Sequence, residues 1–175
     1  MKTRPALLVA CLALTGCNED PIVPIQTVPY VDLQRYVGDW YVIANIPPWI
    51  EKGAHNSVES YRLDPDGTIA TKFTWRADGF SGKARELKSR AYVIDRQTNA
   101  TWGVQFIWPI KADYRITYLA PDYSQTIVSR EKRDWVWIMA RTPDIPEADY
   151  ERLLALVESQ GYDVKQVQKV PQKWN

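Results

Sequence analysis

Histidine is nearly absent from this chain of 175 residues: His55 stands alone, and Cys11 and Cys17 are the only cysteines. That poverty excludes most zinc centres and most Cys/His nucleophile chemistry by arithmetic. No surplus of cations exists to grip a nucleic-acid backbone, since 22 Lys+Arg face 21 Asp+Glu. No Gly-x-Ser-x-Gly elbow, HExxH pair or phosphate loop occurs. The longest leading apolar run, Ala6 to Leu14, is too short to span a bilayer. Large rings are what the chain has in excess: eight Trp and ten Tyr, beside three Phe. With 45% hydrophobic and 25% charged residues, the composition is that of one globular domain.

The short apolar run has its own meaning. Lys2 and Arg4 precede it, and Leu14-Thr15-Gly16-Cys17 follows. Charge, apolar stretch, small residue and cysteine in that order resemble the lipobox of bacterial lipoproteins. The resemblance implies that residues 1–16 are a signal peptide and that Cys17 carries acyl chains. It also implies sorting to the outer membrane, because Asn18 rather than Asp follows the cysteine. Anchoring by several acyl chains, at about 0.8 kcal/mol per buried methylene, hardly reverses. Cys11 leaves with the signal, so no disulfide supports the mature chain. Residues 18–29, with Pro21, Pro24 and Pro29, read as an extended tether of roughly 35 Å.

Residues 30–175 form the domain, and from Gly38 to the end of the eighth strand the chain alternates between apolar and polar positions with period two. Eight strands are predicted, at 38–46, 57–64, 68–76, 86–95, 101–108, 113–120, 124–131 and 134–141. Asp64-Pro65-Asp66-Gly67 is a hairpin turn, and no connection carries a crossover helix. Eight consecutive antiparallel strands remove their edges by closing into an up-and-down β-barrel. One helix follows over about 147–160, with Pro146 at its start, Gly161 at its end, and Tyr150, Leu153, Leu154 and Val157 as its stripe. The strand at 134–141 is apolar on both faces, so the helix is expected to cover Val136 and Ile138 outside the barrel. The fold class is thus all-β with one C-terminal helix.

Three segments then fall at barrel spacing. Gly38-Asp39-Trp40 opens the first strand, Pro121-Asp122-Tyr123 makes a late turn, and Arg141 closes the last strand. Together they resemble the Gly-x-Trp, Asp-Tyr and Arg signatures of the lipocalins, and look closest to bacterial outer-membrane lipocalins. The resemblance covers roughly residues 30–168. It implies that Gly38, Trp40, Asp122, Tyr123 and Arg141 are structural, with Arg141 over the Trp40 indole as a plug.

Alternation points Tyr61, Phe73, Trp75, Trp102, Val104, Phe106, Trp108, Tyr114, Ile116, Tyr118, Trp135 and Trp137 inward, with Val93, Ile127 and Met139 on the same faces. They are either plain core or the lining of a ligand cavity, because rings this large on neighbouring strands are hard to pack solid. The long 47–56 loop marks the mouth, where Trp49 and Ile50 either cap the cavity or meet a membrane or a second subunit. Charges at the mouth, among them Lys52, Arg76, Lys83, Arg85, Lys111, Lys132, Arg133 and Glu51, read as a mixed rim.

The function expected from the resemblance is a lipid-anchored, outer-membrane protein facing the periplasm, as a monomer or a homodimer. It would hold a lysophospholipid or fatty acid for storage, transport and envelope maintenance. No cofactor, metal or nucleic acid is expected, and no catalysis. The rival readings are an enzyme acting on a lipid, with inward Glu59 as its carboxylate, and a packed structural protein without ligand.

Overall fold

The computed structural model describes residues 23–174. The expected signal peptide, Cys11, Cys17 and the first part of the tether lie outside the described residues.

A short helix, α1 (Leu33–Tyr36), is followed by eight strands: β1 (Gly38–Ile46), β2 (Ala54–Leu63), β3 (Ile69–Ala77), β4 (Ala84–Val93), β5 (Thr101–Ile107), β6 (Ile110–Leu119), β7 (Gln125–Ser129) and β8 (Val136–Ala140). Helix α2 (Glu147–Ser159) and a two-residue strand, β9 (Gln168–Lys169), complete the chain. Every neighbour is antiparallel, and β1 pairs with both β8 and β2, so the sheet closes on itself. The expected eight-stranded barrel with a C-terminal helix is what forms. Most strand limits move by one to three residues, and two regions show a local reason. The β5–β6 hairpin runs to a two-residue turn, Trp108–Pro109, where Ile107 pairs with Ile110. Residues 130–135 leave the ladder because Arg133 takes φ +54° and Arg130 turns back to Asp134 at 2.9 Å.

Two cores result. The inner one holds Trp40, Val42, Tyr61, Ile69, Phe73, Trp102, Val104, Tyr114, Ile116, Val128 and Met139. The outer one lies under α2, where Leu153 and Val157 cover Ile43, Val136, Ile138 and Ala140. Full burial of each such aliphatic side chain stabilises by about 1.5–3 kcal/mol. Gly161 ends α2 with φ +87°, a conformation that costs glycine little.

Tyr118 and Ile127 break the expected alternation and belong to the outer core. The register slips between Ile116 and Tyr118, a bulge that shifts every later side chain of β6 to the other face. Tyr118 therefore meets α2, where Arg152 donates to its hydroxyl at 3.0 Å.

The expected free tether is also corrected for its described part. Ile25 is buried in the outer core, Val28 N–H donates to Ile116 O at 3.0 Å, and Val31 N–H to Thr98 O at 2.7 Å. At its start Arg133 donates to Val23 O at 2.6 Å. Apolar side chains at 25, 28 and 31 make burial on the wall more favourable than an extended run in water.

Candidate functional site

Consecutive antiparallel strands put the turns alternately at two ends. The β2–β3, β4–β5 and β6–β7 turns share one end with the start of β1, and this end is sealed. Gly38 opens β1 at φ +102°, and a Cβ there would stand 3.4 Å from the Arg141 guanidinium. That guanidinium lies 3.7 Å above the Trp40 ring and donates to the carbonyls of Asp39, Arg35, Tyr36 and Val37 at 2.8–3.1 Å. The Trp40 indole donates to Tyr36 O at 2.8 Å. Asp122 caps the late turn by accepting from Ser124 N, and Tyr123, at φ +63°, accepts from Asp32 N through its hydroxyl at 2.9 Å.

Above Trp40 lies a layer of rings. Tyr36 and Tyr114 hydroxyls are 3.0 Å apart, and Tyr114 donates to Tyr61 at 2.8 Å. Trp102 stacks on Tyr114 with centroids 4.8 Å apart. Burial pushes the Tyr36 phenol up to about 12 and those of Tyr61 and Tyr114 well above their ordinary value, so all three stay neutral phenols. Tyr61, Trp102, Tyr114 and the fully buried Ile116 thus form the floor. Tyr36 was not anticipated; only the Asp32 cap at the head of α1 signals its helix.

Toward the other end the interior loosens. On the inward face of β4, Ala91 is buried, Ser89 and Leu87 are half-buried, and Arg85 is exposed. On β5 the inward-facing Trp102 and Val104 are both buried. Phe73 and Trp75 stack at 4.9 Å on β3 and face this space, with Leu87 opposite Phe73. Trp137 reaches in from β8, and Trp135 sits at the rim beneath Arg130, whose guanidinium is 4.1 Å from its ring. Phe106 and Trp108, expected on the cavity wall, point into solvent instead. The ladder slips between Val104 and Ile107, and Trp108 lies beyond the end of β5 in the turn.

Two carboxyl groups occupy this upper space. Glu51, expected on the charged rim, folds inward from the 3-10 turn Trp49–Glu51. It accepts from Asn45 Nδ2 at 3.1 Å and Trp137 Nε1 at 3.0 Å, and burial raises its pKa to about 7. Those two donors are the signal that chain reading missed, because Asn45 and Trp137 become neighbours only when β1 pairs with β8. Glu59 projects inward between Trp40 and Phe73 in register. Burial, then the nearby Glu51 charge, raises its pKa well above the usual carboxyl range. Glu59 is deep within the barrel yet keeps accessible surface, as a side chain facing an internal space does. Among the described residues, no side chain hydrogen-bonds its carboxyl group.

Among the described residues no cluster of three or more His, Cys, Asp or Glu gathers as a metal site, and no helix is long and apolar enough to cross a membrane. Two shallow outer grooves, of about 660 and 550 Å³, flank the C-terminal Lys173–Trp174 segment. They are open and partly polar, a poor environment for a hydrocarbon chain.

The profile of the Lipocalin-like domain family matches residues 31–172. Temperature-induced lipocalin-1 of Arabidopsis thaliana is 31% identical over 158 residues, 85% of this chain and 83% of that protein. Outer membrane lipoprotein Blc of Escherichia coli (strain K12) is 29% identical over 163 residues, 93% of this chain and 88% of that protein. Insecticyanin from the tobacco hornworm Manduca sexta shares the fold, with a TM-score of 0.66 at 11% identity, over 86% of this chain and 85% of that one.

Proposed function

The chain belongs to the lipocalin-like domain family, and from that premise we propose that it carries a single-tailed lipid inside the barrel while acyl chains on Cys17 hold it to the outer membrane, facing the periplasm. The observation that carries this reading is the gradient of accessible surface above the aromatic floor: Leu87, Glu59 and Trp137 face inward yet remain partly accessible. A sixteen-carbon tail gains roughly 12 kcal/mol gross on leaving water. Lost freedom and imperfect fit reduce that to about micromolar affinity. The role proposed is storage or transport of envelope lipids, as a binder and not an enzyme. The relative named an outer membrane lipoprotein supports the location.

The two interior carboxyl groups favour one head group over another. Burial holds Glu59 toward its neutral form, so the like charge that a fatty-acid carboxylate meets in the upper barrel is Glu51 once it ionises, near pH 7. A zwitterionic lysophospholipid brings an ammonium to the same place. The lysophospholipid is therefore the preferred ligand.

Native mass spectrometry of the protein purified gently from its host envelope tests this. The expected result is a bound single-tailed phospholipid, displaced by an added lysophospholipid. Leu87→Trp, which adds bulk opposite Phe73, should weaken that binding by about tenfold while the fold persists. An interior that takes no lipid in either protein would sink the reading. Independently, Cys17→Ala should move the protein from the membrane fraction to the soluble periplasm; continued sedimentation with membranes contradicts the anchor.

A further inference from the structure

The β1–β2, β3–β4, β5–β6 and β7–β8 turns share the open end, and three of them carry exposed apolar side chains. Trp49 is 80% exposed and Ile50 38% on the first; Phe80 is 40% exposed on the second. Ile107, Trp108 and Ile110 on the third are 73%, 82% and 70% exposed. The turns of the sealed end carry one such side chain, Ile94, and are otherwise polar: Asp66, Asp95 and Asp122 cap them by accepting from the hydroxyls of Thr68, Thr98 and Ser124. Large exposed apolar groups gathered on one face of a molecule call for a partner surface.

The N-terminal strap says which surface. It runs up the wall from Val31, held at the sealed end by Thr98, to Val23, held by Arg133 of the β7–β8 turn at the open end. Glu131 of that turn also accepts from Ile25 N–H, at 3.4 Å. Cys17 lies six residues before Val23, and six residues span at most about 21 Å. An acylated Cys17 therefore keeps the open rim, not the sealed end, beside the bilayer. Exposed Lys52, Lys83, Arg85 and Lys132 stand among the apolar tips, suited to anionic head groups. Tryptophan at such tips suits the boundary between head groups and acyl chains.

We infer that the barrel docks mouth-down on its own membrane, with Trp49 and the Ile107–Ile110 hairpin tip inserted at the lipid interface, so that a ligand passes between bilayer and barrel without crossing water. This rests on the anchored-carrier reading above and adds to it an orientation and an entry route.

The acylated protein, reconstituted in phosphatidylethanolamine–phosphatidylglycerol vesicles, provides the test. One vesicle set carries bromine on the acyl chains near the head group, a second carries none. Two of eight indoles, Trp49 and Trp108, stand exposed on the turn tips that would enter the bilayer, whereas Trp135 is covered by Arg130, so shallow bromine should lower tryptophan emission by roughly a quarter. The Trp49→Ser, Trp108→Ser double variant should lose that quenching while still floating with vesicles. Equal emission from brominated and plain vesicles, with flotation intact, overturns the docking and leaves the anchor standing. Protein that neither floats nor carries acyl mass overturns the anchor, and the docking with it. Concentration-dependent dimers that shield both indoles from bromine assign the rim to a second copy and overturn the docking.

Discussion

Trp40→Ala should cost about 3–5 kcal/mol and lower the melting temperature by roughly 10–15 °C. The ring is fully buried, and removing it leaves several partners without their contacts at once. Tyr36, 5.2 Å away between centroids, loses its packing, and its carbonyl loses the indole N–H. Arg141 loses the face over which it lies, worth about 0.5–2 kcal/mol by itself. Ligand affinity should fall only as far as the folded fraction falls, since the indole is under the floor. The paired control is Phe106→Ala, which removes a half-exposed ring and should shift the melting temperature by no more than a degree or two. Calorimetry on the two variants reads the contrast directly. Equal destabilisation by both would mean that the sealed end is not the mechanical base of the barrel. Arg141→Lys is a finer probe, because a single ammonium cannot span four carbonyls as the guanidinium does.

The second large effect is a dependence on pH opposite to that of a paired surface carboxylate. Glu51 has its pKa raised from 4.5 to about 7 by burial, against the opposing effect of the Trp137 and Asn45 hydrogen bonds. The folded protein thus holds a proton that the unfolded chain has already released. The resulting stability is fully present below about pH 4.5 and is lost as pH rises to about 7, a change of up to roughly 3 kcal/mol. Glu59 is displaced in the same direction and extends the slope further up. Denaturant midpoints measured from pH 5 to pH 8 should therefore fall, and Glu51→Gln should flatten the lower part of that fall. A midpoint that climbs over this range would falsify the inward placement of Glu51. Binding should respond alongside: ionising Glu51 weakens capture of a fatty-acid carboxylate and strengthens capture of an ammonium head.

Period-two patterning made the barrel legible, because a strand with one wet face must alternate. The doubly apolar Val136-Trp137-Ile138 run even announced the covering helix, and Leu153 and Val157 do lie over Val136 and Ile138. Gly38, Trp40 and Arg141 were legible as one unit, and they meet across 102 residues of sequence at Asp39 O. Register is where the reading lost precision. A bulge leaves no mark on composition, so Tyr118 and Ile127 were assigned to the wrong face. The slip between Val104 and Ile107 likewise sends Phe106 and Trp108 out toward water. Glu51 was illegible for a different reason. A carboxyl group in a loop reads as solvated unless its donors are known, and Trp137 is far along the chain. The docked strap was hidden by its prolines, which fit a free tether and a wall-hugging segment equally well.

The Arg141 latch also bears on the order in which the barrel is made. Four of its five carbonyl partners lie within residues 35–39, and the fifth is Tyr123 O, so a chain emerging amino terminus first holds most of the acceptors long before the donor exists. Closing so long a loop is entropically slow, and until it closes the Trp40 indole lacks the cation that shields its face. The clasp at the base of the cup therefore cannot form until the final strand has been made. A chain cut short of residue 141 can make the aromatic floor but not the clasp beneath it, so only the longer polypeptide becomes a latched vessel.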